Sequence, residues 1–237
     1  MIVQDDCFGY IPKIESESID LIITDPPFAI SKKSNFTRMT DNTDDILRGK
    51  FYKHSIDFGY WDTVVDFDIL FSEFYRVLRK GGTLILFYDI WKSTHIREMS
   101  EKYKFKQPRI GQWVKSNPVP INSKINYLSN STEYFFSFIK DKNPTFNSKY
   151  DNAIYNYPLC HGKERLDHPT QKPLPLIMDL INKHSNEGDI ILDPFSGSGT
   201  TAESCESLNR DYICIEKDIR YYEMSLERLK QIKLKQI

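Results

Sequence analysis

Short apolar runs rich in β-branched residues alternate along this chain with stretches whose apolar residues recur every three or four positions. Residues 18–24 (Ser-Ile-Asp-Leu-Ile-Ile-Thr) end at a proline pair and predict a buried parallel strand whose carboxyl end delivers Asp25. Over residues 66–80 the positions Phe67, Leu70, Phe71, Phe74, Val77 and Leu78 predict an amphipathic helix, with Asp66 as its N-cap and Gly81-Gly82 as its stop. Residues 83–88 follow as the next buried strand. Residues 133–139 predict another strand, and Leu174, Ile177, Met178 and Ile181 mark one face of another helix. The last third is the most regular. A strand at 189–193 leads through a glycine turn into a helix reaching about Leu208, then a strand at 211–216 and a helix carrying Ile219, Tyr222, Leu226 and Leu229 in register. This alternation predicts an α/β fold with a doubly wound sheet.

Two stretches break the alternation. Residues 31–61 are polar and too long for a plain connector, which marks a mobile loop with a function of its own. Residues 109–130 contain Pro118 and Pro120 beside Trp113 and Tyr127 and also read as loop. The 237 residues suffice for one sizeable core, so a single domain is expected, with at most a small inserted lobe.

Charge refines this picture more than composition does. The net charge is −1, which argues against indiscriminate coating of nucleic acid. Residues 92–124, however, carry Lys92, Arg97, Lys102, Lys104, Lys106, Arg109, Lys115 and Lys124 against Glu98 and Glu101, so eight minus two leaves +6 there and −7 elsewhere. Gathered on one face, such a stretch would attract DNA. Cys7, Cys160, Cys205 and Cys214 are scattered and the five histidines do not join them at ligand spacing, so no metal and no disulfide is expected. No run is long and apolar enough for a membrane span, and the chain does not open with a secretion signal, so a cytoplasmic protein is expected.

The candidate chemistry sits at two strand ends. Asp25-Pro26-Pro27-Phe28 sets a carboxylate, a backbone carbonyl and an aromatic ring side by side. An exocyclic base amine is a poor nucleophile because its lone pair is delocalised into the ring. Acceptors for both of its N–H groups localise that pair for attack. Asp25 and the Pro26 carbonyl supply the acceptors, and Phe28 can stack on a base drawn out of a duplex. Asp193-Pro194-Phe195-Ser196-Gly197-Ser198-Gly199-Thr200-Thr201 is a strand running through a tight turn into a helix, the usual seat of a nucleoside. It has neither the Gly-Lys-Ser/Thr of a phosphate loop nor the third glycine of a dinucleotide site, which suits a cofactor without phosphates. Glu216, at the tip of the following strand, can accept hydrogen bonds from ribose hydroxyls.

These two motifs in this order resemble the β-group of DNA amino-methyltransferases, in which the catalytic motif precedes the cofactor motif and a recognition segment lies between. The resemblance covers nearly the whole chain. It implies the seven-stranded, Rossmann-like methyltransferase sheet in circularly permuted form, with a small inserted recognition segment. It further implies S-adenosylmethionine as cofactor and double-stranded DNA as partner. Gln4-Asp5-Asp6-Cys7 looks like the family's opening segment, with Asp6 and Cys7 toward the cofactor, although the family usually has Gly where Asp5 stands. His168-Pro169-Thr170-Gln171-Lys172-Pro173 is similar to the segment leading into the cofactor pocket, which brings Thr170 and Lys172 into the cofactor set with Asp25, Asp193, Pro194, Phe195, Ser196, Gly197, Gly199, Thr200 and Glu216. Trp113-Val114-Lys115 and Glu133-Tyr134 match later strands of the catalytic half. An Asp at the head of the first motif favours adenine N6. The catalytic set is then Asp25, Pro26, Pro27 and Phe28, with target reading assigned to 31–61 and 92–130. Rival readings are N4-cytosine methylation, an amine of RNA or protein, and an accessory subunit that binds DNA without turnover. A companion restriction endonuclease and a homodimer are compatible with the resemblance.

Overall fold

The structure, a computed structural model, describes residues 1–27, 32–38, 52–56, 65–118 and 130–235. The chain divides into two compact units, residues 1–26 with 66–237 and residues 27–65. In chain order the elements are β1 (Ile2–Gln4), α1 (Cys7–Tyr10), β2 (Ile19–Thr24), β3 (Lys32–Arg38), β4 (Tyr52–Ile56), α2 (Phe67–Val77), β5 (Leu78–Phe87) and α3 (Ser93–Lys102). They continue with β6 (Lys106–Lys115), β7 (Thr132–Ile139), β8 (Ile154–Tyr157), α4 (Leu174–His184), β9 (Ile190–Asp193), α5 (Thr200–Leu208), β10 (Asp211–Glu216) and α6 (Ile219–Lys235).

The larger unit is built on one sheet of eight strands in the order β1-β10-β9-β2-β5-β7-β6-β8. β7 is antiparallel to both neighbours and every other pairing is parallel. The sheet has one strand more than the resemblance implies; its edge strands β1 and β8 have only 3 and 4 residues, too few to leave a pattern in sequence. The apolar runs became strands because both faces are covered. On one side Leu21, Ile23, Ile85, Phe87, Trp113 and Phe135 pack on Leu176, Ile177, Leu180 and Ile181 of α4. On the other, Phe71 of α2 meets Phe105 and Phe138 edge-on at 5.9 and 6.1 Å between ring centres. Burying each such side chain is worth roughly 1.5–3 kcal/mol. Among the described residues no helix is long and apolar enough to cross a membrane.

Three further expectations about the larger unit are corrected. Asp66 caps α2 as expected, its Oδ1 accepting from the Asp68 and Ile69 amides at 3.0 and 3.2 Å, but the helix ends at Val77. Leu78, fully buried, already has extended backbone and starts β5. Gly81-Gly82 therefore does not stop the helix; it lies inside β5 where the pairing with β2 shifts register, Ile19 opposite Leu78 but Leu21 opposite Thr83. The stretch expected as loop from 109 begins inside a strand. β6 is held on both sides, by β7 and β8, and Trp113 in it is fully buried with its indole N–H donating to the Tyr157 carbonyl at 2.8 Å. Tyr127 and the rest of 119–129 lie outside the described residues.

The third correction concerns the basic stretch, which does not form one face. Lys106 and Thr83 both pair with Ile139, so Lys106, with Lys102 and Lys104 just before it, stands at the amino end of β5. Lys92 follows the carboxyl end of β5 and Lys115 closes β6 at that same rim. A strand–helix–strand crossover runs the length of the sheet and back, so a continuous run of lysines is dealt to both ends. Arg97 and Lys102 are further neutralised by Glu101 at 2.8 Å and Asp68 at 2.5 Å. Lys124 lies outside the described residues.

In the second unit, β3 and β4 pair antiparallel, so the stretch expected as loop at 31–61 contains two paired strands. Its remaining residues, and Phe28, lie outside the described set.

Candidate active site

β2 and β9 are adjacent and parallel, yet the chain leaves them in opposite directions: β2 leads through α2 to β5, and β9 through α5 to β10. A cleft opens at such a switch point beyond the carboxyl ends of the strands. With Ile22 opposite Leu192, the two sequence motifs emerge side by side at this rim, although 168 residues separate Asp25 from Asp193. The tips are also tied together, since the Thr24 hydroxyl donates to Asp193 Oδ1 at 3.0 Å.

Asp25 stands at the end of a chain of alternating charges. Its Oδ2 is paired with the Lys172 ammonium, which also lies 3.3 Å from Glu133 Oε2; Glu133 Oε1 in turn is 2.8 Å from Lys115. Asp25 Oδ1 is buried and has no hydrogen-bond partner among the described residues. Burial pushes the Asp25 carboxyl above the usual carboxylate range, with the Lys172 charge pulling it back. Burial acts the same way on Glu133, but Lys172 and Lys115 together overcome it and hold that group below its usual range. Lys172 loses solvation by burial, yet Asp25 and Glu133 hold its ammonium firmly protonated. Its aliphatic stem carries the charge to 5.2 Å from the Phe87 ring centre, and its carbonyl oxygen accepts from the Thr200 hydroxyl at 3.4 Å. One residue therefore touches both motifs. Pro26 is buried, and Pro27 opens the second unit.

The glycine turn is shaped from within the fold. Gly197 and Gly199 have φ of +50° and +78°, where a β-carbon is strained. A β-carbon at Gly197 would stand 2.9 Å from His168 Nε2, and one at Gly199 2.7 Å from the Ser225 β-carbon. The His168 ring stands edge-on to Tyr221 at 4.4 Å, and burial pulls its imidazole down to about 4, so it is neutral near pH 7. Asp193 is not free to reach outward: its carboxylate accepts from Thr24, from the Phe195 amide at 3.2 Å and from the Thr201 hydroxyl at 2.5 Å. Burial raises Asp193 to about 6 against those hydrogen bonds. Glu216, also buried, accepts from the Gly197 amide at 2.8 Å and the Asp218 amide at 2.7 Å. Ser196 Oγ is buried without a hydrogen-bond partner among the described residues. Pro194 is buried, and Phe195 and Thr170 are half-buried. At the neighbouring rim Asp6 caps α1 through the Phe8 amide at 3.0 Å and pairs with Lys217 at 2.7 Å, while Cys7 is buried behind it.

An S-adenosylmethionine molecule fits this set: a turn without β-carbons, an orphaned hydroxyl at Ser196, a buried carboxylate at Glu216 and the amino end of α5 for a carboxylate group. Three contributors stood outside the two main motifs. Thr24 is the last residue of an apolar run, Glu133 the head of one, and Arg228 of α6 donates to Thr200 Oγ1 at 3.0 Å while paired with Glu203. A hydroxyl at the carboxyl end of a predicted strand was the signal that could have found Thr24, whereas Glu133 reaches the same rim only because β7 runs antiparallel.

Comparison with known proteins agrees with this geometry. Residues 19–227 match the DNA methylase family of N6/N4 methyltransferases. The Type II methyltransferase M2.DpnII of Streptococcus pneumoniae is 30% identical over 257 residues, covering 97% of this chain and 89% of the relative. M.HinfI of Haemophilus influenzae is 28% identical over 249 residues, with 98% and 68% covered. The crystal structure of the M1.HpyAVI–SAM complex superposes with a TM-score of 0.71 at 27% identity, covering 97% of this chain and 98% of that one. PvuII DNA methyltransferase, a cytosine-N4-specific enzyme, shares the fold at TM-score 0.74 and 17% identity, over 96% of this chain and 85% of that one. The expected methyltransferase sheet and class stand.

Proposed function

Because the chain belongs to the N6/N4 DNA methylase family, we propose that it is a site-specific adenine N6-methyltransferase of duplex DNA that uses S-adenosylmethionine. The observation that carries the reading is Asp25 Oδ1, a buried acceptor without a donor, at the switch point shared with the glycine turn. Such an atom costs about 1–3 kcal/mol unpaired, and a ligand N–H recovers that cost. The Asp at the head of Asp25-Pro26-Pro27-Phe28 favours adenine over cytosine.

On this reading an adenine swung out of the duplex stacks on Phe28 and donates its amine hydrogens to Asp25 Oδ1 and the Pro26 carbonyl. Both acceptors draw the nitrogen toward a tetrahedral shape. Asp25 Oδ1 would take the proton that the nitrogen sheds as its new N–C bond forms, while the methyl–sulfur bond breaks and its electron pair leaves with a neutral thioether. Pro27, without an N–H, keeps a competing donor away from these acceptors. When bound, S-adenosylmethionine supplies an electrophilic methyl group on sulfonium. Glu216, Gly197, Gly199, Ser196, Phe195, Pro194 and Thr200 hold it around the turn, with Asp6, Cys7 and Thr170 at its margin, and Asp193 fixes the turn from behind. Target reading is assigned to 31–61, which follows Asp25 in the chain, and to the rim side of 92–130, where Lys92 stands. The enzyme works on cytoplasmic DNA, guards sites against a companion restriction endonuclease and assembles as a homodimer.

The test is to incubate the protein with labelled cofactor and duplex DNA, then digest to nucleosides and separate them. N6-methyl-2′-deoxyadenosine is expected, and Asp25→Ala should abolish it while leaving cofactor affinity largely intact. N4-methyl-2′-deoxycytidine, or label only in RNA or protein, would overturn the reading. Cofactor binding with no methyl transfer to any DNA would make the chain an accessory subunit instead.

A further inference from the structure

We infer that Lys172 is a positioning residue for Asp25: clamped between the Asp25 and Glu133 carboxylates, its ammonium occupies Oδ2 and so presents Oδ1 as the carboxylate oxygen open to the target amine. The inference rests on the proposed function above and adds a role that the two sequence motifs do not contain. Lys172 has only 8% of its side chain accessible and touches both carboxylates, with Glu133 braced from the far side by Lys115 at 2.8 Å. A surface pair in that position would be screened and interchangeable. A buried one cannot lose a member without leaving an uncompensated charge.

Geometry gives the clamp two effects. It fixes the carboxylate plane, because the oxygen bound to a buried ammonium cannot rotate to face the cleft. It also keeps Asp25 ionised in a setting that opposes ionisation. The charged and titratable groups facing Asp25 are Lys172 ahead of α4, Glu133 on β7 and Asp193 on β9, with Lys115 on β6 and His168 in the next layer. Lys172 is the leading influence favouring the carboxylate; burial and the Glu133 charge oppose it. The two neighbours of Asp25 therefore have opposite signs, and their removal should move the pH profile in opposite directions.

The experiment measures kcat for methylation of duplex DNA from pH 5 to pH 10 in the full-length protein, with cofactor affinity measured by calorimetry in parallel. Lys172→Met should shift the acid limb of kcat upward by a unit or more, so that activity lost at pH 7, about tenfold per unit, returns at higher pH. Cofactor affinity should change little, and Lys172→Arg should restore much of the profile. Glu133→Gln should shift the acid limb downward. An acid limb that stays in place in folded Lys172→Met overturns the inference, as does a loss confined to cofactor affinity, which would place the ammonium in the cofactor's service. If Lys172→Met does not fold, an unmoved or upward-shifted limb in Glu133→Gln is the overturning result. A wild-type protein that methylates no adenine would instead sink the proposed function, a different outcome from these.

Discussion

Substituting alanine for glycine around the turn separates two causes of its shape, backbone sign and close approach. Gly188, Gly197 and Gly199 all have positive φ, at +81°, +50° and +78°. A β-carbon at Gly188 would meet nothing within 4 Å, one at Gly197 would press the His168 imidazole at 2.9 Å, and one at Gly199 would press the Ser225 β-carbon at 2.7 Å and its α-carbon at 3.1 Å. The left-handed conformation costs an L-residue about 1–2 kcal/mol, partly offset by the lower entropy of the unfolded chain, so Gly188→Ala should lose about 1 kcal/mol. Gly199→Ala adds overpacking against α6, which has no flexible end to yield, for roughly 1–3 kcal/mol more. Gly197→Ala should fall between, because an imidazole can swing where a backbone cannot. Urea unfolding with a common slope reads the three differences directly. Equal losses at Gly188 and Gly199 would refute the claim that the turn is held against α6, and with it the account of why that position is glycine.

Two further outcomes follow from the buried charges. Glu216→Gln leaves one oxygen to serve both the Gly197 and Asp218 amides, so one N–H loses its acceptor, and cofactor binding should weaken by about tenfold or more, or ~1.4 kcal/mol; an unchanged Kd by calorimetry would contradict its ribose role. His184, packed on Phe146 at 5.3 Å, is held down to about 4 by burial. A depressed histidine leaves stability intact above its unfolded value near 6.5 and costs stability as pH falls toward 4, about 2 kcal/mol at pH 5. Asp193, raised to about 6, works in the opposite sense as it takes up its proton. Comparing wild type with His184→Gln by urea unfolding at pH 5 and pH 7 isolates the histidine, and parallel losses in both proteins would count against its buried neutral state.

Where the pattern was strong and local, sequence and fold agree: the apolar runs at 18–24 and 211–216 and the Asp66 cap each needed only neighbours within a few residues. The errors have one physical source, which is pairing across the sheet. β6 carries Pro108, Gly111 and five exposed residues in its first half, and no period-two signal survives that; it is a strand because β7 and β8 hold it. Gly81-Gly82 looked like a helix stop because glycine commonly is one. The actual stop is Leu78, whose burial beside Ile19 outweighs continuation of the helix. The basic stretch misled for a related reason, since sequence adjacency says nothing about which end of a sheet a residue reaches.

The candidate site divides along the same line. The placement of Asp25, the glycine turn and Glu216 at one rim was legible because each is a strand end followed by a turn, and parallel strands with right-handed crossovers deliver all such ends to one rim. What holds Asp25 was not legible, because Lys172 lies 147 residues away in a segment without regular structure. Yet that partner is constrained in kind. A carboxylate at the foot of a switch-point cleft is desolvated by the covered faces of the sheet that place it there. Without a cation it would tend to take up a proton and lose its strength as an acceptor. A rim that gathers Asp25, Asp193, Glu133 and Glu216 therefore demands buried positive charge from whatever segment passes over it. Here the stretch entering α4 and the end of β6 supply it as Lys172 and Lys115, so the clamp is a consequence of the topology as much as of the chemistry.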